Sequence, residues 1–142
     1  MEAAIGLVGV ALGAMLAPVL DWIRQSRRAR EERRSQLLEA VAEFVSASGD
    51  ALVAEWGTGS DKEAWTSGAG FRANAARWKL ALLAPDEVAS AAHAFAEATD
   101  QLGKRIQAVG GWDGNQIAAE YDAWKRAEQA LIDAARRHIG VP

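Results

Sequence analysis

The chain has 142 residues, half of them hydrophobic, with no Cys. That length suits one folded domain rather than two, and the lack of Cys excludes a disulfide framework, a thiolate zinc site and cysteine nucleophilic catalysis. The formal net charge of -3 averages three unequal segments: residues 1–23 carry -2, residues 24–34 carry +4 from six Arg against two Glu, and residues 35–142 carry -5.

Ala3 to Leu20 contains neither a charge nor a side-chain hydrogen-bonding group. At about 1.5 Å per residue it makes roughly 27 Å of helix, enough with Trp22 and Ile23 to cross a hydrocarbon core of about 30 Å. The expected element over residues 1–23 is therefore a transmembrane helix, with a buried core helix of an assembly and a signal peptide as weaker readings. A signal peptide wants positive charge before the apolar run, whereas here Glu2 precedes it and Arg24, Arg27, Arg28, Arg30, Arg33 and Arg34 follow it. The positive-inside bias then places the remainder of the chain, C-terminus included, at the cytoplasmic side of the cell membrane. Gly9, Gly13 and Ala17 repeat every four residues, a small-residue face on which two helix backbones approach closely. Pro18 removes one helical hydrogen bond near the end of the span.

The basic segment, residues 24–34, is expected to meet lipid headgroups, at about 1 kcal/mol per Arg near an anionic leaflet. Nucleic acid is not expected as a partner, because the patch lies against the membrane, lacks interleaved aromatics and precedes an acidic domain.

Residues 35–142 show helical periodicity and no sustained alternation, so strands have little support. Leu38, Val41, Phe44, Val45, Leu52 and Trp56 keep three-to-four spacing through Gly49, which continues a first helix to about Trp56. Gly57 to Ser60 reads as a turn, and Ser60 with Glu63 forms a capping-box pattern. Trp65, Phe71, Ala75, Trp78 and Leu82 make the expected apolar face of the next helix, with Ser67–Gly70 as a point of interruption. Pro85 sets a corner at Ala84, followed by Asp86 and Glu87 at the favourable end of a helix dipole.

Val88, Ala92, Phe95, Thr99, Leu102, Ile106 and Val109 follow at alternating spacings of four and three, the seam of a helix in a left-handed bundle or coiled coil. Residues 110–115, GGWDGN, break the helix, with Asp113, Gly114 and Asn115 expected to tolerate left-handed backbone. Ile117, Tyr121, Trp124, Leu131 and Ala135 face inward on a last helix that Gly140 ends, its final turn carrying Arg136, Arg137 and His138. The expected fold class is all-α: an N-terminal transmembrane helix continuing into an antiparallel three- or four-helix cytoplasmic bundle.

The order of an apolar N-terminal helix, an RRAREERR stretch, an LLEAVAEFVSA helix, the LLAPDEV corner and the ARRHIGVP end resembles small membrane-anchored helical proteins of high-GC actinobacteria and their phages. The resemblance covers most of the chain. It implies the fold and the membrane topology, and it transfers no catalytic residue, because proteins of this kind are mostly of unassigned function.

No convergent set of acid, base and nucleophile is legible, and Gly57–Ser60 lacks the Lys and preceding strand of a phosphate loop. His93 and Glu97 are neighbours on one helix face but lack a third ligand, so neither a metal nor another cofactor is expected. Trp112, in a polar loop, reads as a partner contact or as a lid folded back on the bundle end, while Trp65, Trp78 and Trp124 lie on apolar stripes and read as core. The expected function is that of a non-enzymatic adaptor or oligomeric scaffold at the cytoplasmic membrane face, with membrane lipids, further copies of itself and a cytoplasmic protein as partners. The alternative is a phage- or plasmid-type effector that perturbs the bilayer through oligomerised N-terminal helices.

Overall fold

The computed structural model describes residues 2–58 and 68–140, and of residues 2–17, 19, 55–58 and 69 the backbone alone. Four helices and no strand are found among the described residues: α1 (Glu2–Thr58), α2 (Gly68–Leu83), α3 (Asp86–Val109) and α4 (Ala118–Ile139). The chain divides into two compact units, Met1–Ser35 and Gln36–Pro142.

In the first unit, the backbone is helical through Pro18, and the side chains of residues 20–35 are exposed except for the half-buried Ser26. Among the described residues no helix is long and apolar enough to cross a membrane. Most of the Ala3–Leu20 run, including the Gly9, Gly13 and Ala17 face, lies outside the described side chains.

The second unit packs α2, α3, α4 and the part of α1 after Ser35 around one apolar core. Alternating helix directions follow from the ion pairs. Glu43 of α1 meets Lys79 near the end of α2 at 2.8 Å, and Glu87 at the start of α3 meets Arg137 at the end of α4 at 2.6 Å. At the opposite end of the α3–α4 pair, Arg105 donates to the carbonyl of Gln116 at 3.1 Å. Phe95 is fully buried at the centre. Its ring meets Phe44 edge-on at 5.4 Å and Trp124 at 5.7 Å, so one side chain of α3 joins α1 to α4.

The seam expected on α3 is present: Val88, Ala92, Phe95, Leu102 and Ile106 are buried, as are Ile117, Trp124, Leu131 and Ala135 toward and along α4. Pro85 makes the corner, extended at ψ 161, and Asp86 and Glu87 occupy the first turn of α3. Gly110 closes α3 in the left-handed region at φ 78, its N–H reaching Gln107, and the Gly111 N–H returns to Ile106 at 3.0 Å.

The 110–115 loop takes left-handed backbone at Gly110 and Gly111 (φ 140), where the chain leaves α3. Two expectations need correction. On α1, Leu38 is exposed and Leu37 is buried, since Leu37 shares the inward face with Ala40, Val41 and Phe44 at spacings of three and four. On α2, Phe71, Ala75, Trp78 and Leu82 do not face the core; Ala76 and Leu80 are buried there, with Ala73 packed beside them. The inner face of α2 thus carries Ala73, Ala76 and Leu80, while its two aromatic rings, Phe71 and Trp78, occupy the other.

Candidate functional site

The reversal of α2 creates the most distinctive surface of the molecule. Phe71, Trp78 and Leu82 are 74%, 71% and 86% exposed, whereas Leu80 is 0% exposed. Residues at i, i+4, i+7 and i+11 share one side of a helix, so Phe71, Ala75, Trp78 and Leu82 form a single stripe pointing away from Ala76 and Leu80. Scattered exposed apolar residues are ordinary, but a continuous aromatic and aliphatic stripe is a candidate interaction surface.

The charges beside the stripe are one-sided. Gly68–Leu83 contains Arg72, Arg77 and Lys79 and no acidic residue. Lys79 borders the stripe on the α1 side, where its ammonium is held by Glu43 and feels Glu39 as well. The hydrogen bond to Glu43 raises its pKa. Arg72 lies on the same border and donates to the carbonyl of Gly68 at 3.1 Å. Arg77 turns to the α3 side and reaches His93 Nδ1 at 3.3 Å.

A cleft of about 510 Å³ opens between α1, α2 and α3. Its apolar walls include Phe44, Leu52, Ala73 and Ala96, and Gly70 and Gly103 keep the helices from filling it. Asp100 and Lys104 line it and pair with each other at 2.6 Å, and Arg77 and Glu97 line it as well. The segment 59–67 that joins α1 to α2, with Ser60, Glu63 and Trp65, lies outside the described residues.

His93 Nε2 faces Glu97 at 3.3 Å on the exposed side of α3, and among the described residues no group of three or more His, Asp or Glu is placed to hold a metal ion. Arg24, Arg27, Arg28, Arg30, Arg33 and Arg34 are exposed, Arg24 lying 4.0 Å from Asp21. Trp112 lies over the bundle end with its ring edge-on to Tyr121 at 5.4 Å, and Tyr121 stacks on Trp124 at 6.0 Å. Asp113 holds that loop. Its carboxylate accepts from the Asn115 N–H at 3.0 Å and from the Gln116 amide at 2.7 Å, and these bonds, the Gln116 one first, hold its pKa below the usual carboxylate range.

Sequence periodicity did place Phe71, Trp78 and Leu82 together on one face but assigned that face inward. The usable signal was the second apolar series, Ala73, Ala76 and Leu80, and the crowding of cations beside the larger one. No protein-family model, curated protein or solved structure matches this chain.

Proposed function

We propose that this chain is a non-enzymatic, single-pass membrane-anchored helical-bundle protein that acts as an adaptor or oligomeric scaffold at the cytoplasmic membrane face. The observation that carries the binding part is the exposed stripe of α2, because an apolar face left in water on the side of the helix away from the core is stabilised by covering it. The membrane part is supported by the sequence: the uncharged run Ala3–Leu20 followed directly by six Arg within residues 24–34. In this reading Gly9, Gly13 and Ala17 contribute a helix contact in the bilayer, the arginines meet headgroups, and the bundle presents α2 to a protein.

The test is made on the full chain in cells. Carbonate washing should leave it in the membrane fraction, with a C-terminal tag shielded from external protease until the membrane is opened. Release by carbonate, or an external tag, would overturn the anchor or its orientation. Replacing Phe71 and Trp78 by Ser should abolish crosslinking through the bundle without releasing the chain from the membrane or breaking contacts of the N-terminal helix; unchanged crosslinking through the bundle would sink the adaptor reading. Dye leakage from liposomes carrying the wild-type chain would point instead to the bilayer-perturbing effector.

A further inference from the structure

We propose that α2 pairs with α2 of a second copy of this chain, antiparallel, about a two-fold axis passing between Ala75 and Trp78. The proposal rests on the reading of the stripe as a protein contact and names its occupant.

Side-chain size favours this arrangement. Running α2 against itself in the opposite direction sets Trp78 over Ala75 of the second copy and Phe71 over its Leu82, each layer twice, so the whole stripe is used and the bulkiest side chain falls on the smallest. A parallel pair would stack Trp78 on Trp78 and Ala75 on Ala75, a clash next to a void. The spacing of four, three and four is that of a two-helix seam.

Charge agrees. An antiparallel pair brings the border carrying Arg72 beside the border of the second copy carrying Lys79, which viewed on α2 alone is repulsive. Lys79, however, is already bonded to Glu43 at 2.8 Å and has Glu39 close by, so the cluster it belongs to is net negative. Arg72 makes no ion pair with a carboxylate among the described residues, and it would complete that cluster across the axis. A bilayer would also accept aromatic residues and cations, but Lys79 is engaged by Glu43 and Arg77 turns toward His93, which leaves one cation beside the stripe. Even at roughly 150–250 Å² each, the figure for an aromatic side chain, Phe71, Trp78 and Leu82 at about three-quarters exposure would bury at most about 1,100 Å² over two copies, below the 1,200 Å² at which specific interfaces begin, so the dimer should be weak and reversible on dilution.

Because the chain has no Cys, an introduced thiol is unique. The full chain is purified in mild detergent as Phe71→Cys and Leu82→Cys, and each variant is oxidised alone and mixed with the other. The mixture should give a disulfide-linked dimer and each variant alone little. Ready crosslinking of each variant alone would mean a parallel pair and overturn the proposal. Light scattering that finds only monomer for the wild type would overturn the second copy itself, while the adaptor reading keeps its own test in cells. Trp78→Ala should weaken association at least tenfold with helix content unchanged, and wild-type affinity in that variant would also overturn the seam. Arg72→Glu should weaken it about threefold at low salt, an effect lost at high salt.

Discussion

The indole N–H of Trp124 donates to the hydroxyl of Thr99 at 3.0 Å, and that hydroxyl in turn donates to the carbonyl of Phe95 at 2.8 Å. One small polar group thereby satisfies the polar end of the largest core side chain of α4 and bends its own proton back into α3. Thr99→Val keeps the shape and leaves the indole N–H without its partner, which should cost about 1–3 kcal/mol in denaturant unfolding. Combining it with Trp124→Phe should cost less than the sum of the two single changes, since no donor is then stranded.

Two leucines on α2 separate the inward face from the outward one. Leu80→Ala should destabilise the fold by about 2–5 kcal/mol, as Leu80 is fully buried, whereas Leu82→Ala should stay within about 0.5 kcal/mol under monomeric conditions. Phe95→Ala, which removes the ring joining α1 to α4, should cost about 3–5 kcal/mol. Equal losses at Leu80 and Leu82 would refute the facing of α2.

The loop at Asp113 should respond to acid. Its pKa is lower in the folded chain than in the unfolded one, so its contribution is present above the ordinary carboxylate value of about 3.9 and is lost as pH falls through the lower, folded value. Protection of the Asn115 amide, measured against its intrinsic exchange rate at each pH, should therefore fall below about pH 4, together with a change in Trp112 emission as the ring leaves Tyr121. Asp113→Asn should remove most of that pH dependence.

Gly13→Leu tests the small-residue face directly. If Gly9, Gly13 and Ala17 form a contact, the Leu side chain holds two backbones apart while remaining favourable in a bilayer. A membrane-helix association reporter should lose most of its signal with Gly13→Leu and little with Leu12→Ala. Equal signal for both would mean that any assembly arises from the bundle.

The helices with large residues on their inner faces were legible in the sequence. Val88, Phe95, Leu102 and Ile106 on α3 and Trp124 and Leu131 on α4 combine bulk with heptad spacing, and both features point inward. On α2 bulk and burial part company. Ala73, Ala76 and Leu80 follow helical spacing as faithfully as Phe71, Trp78 and Leu82, and the choice between the two series depends on the width of the groove left by α1 and α3, which is set by residues far away in sequence. Leu37 and Leu38 pose the same choice over a single step. The role of Trp112 depended on Tyr121 in the next helix, a pairing that no local pattern encodes.

The position of Phe95 has a consequence for synthesis. The inner stripe of α1, from Leu37 through Phe44 to Leu52, finds its central partner in a ring encoded some fifty residues later. At ribosomal rates of about 5–20 residues per second, that stripe waits for seconds without its cover. The α3–α4 hairpin needs no such delay, since its contacts are close in sequence and such pairs form quickly. The hairpin is thus the part able to assemble unaided as it emerges, and the earlier-made helix docks onto it, an order in which chaperones have one amphipathic segment to guard.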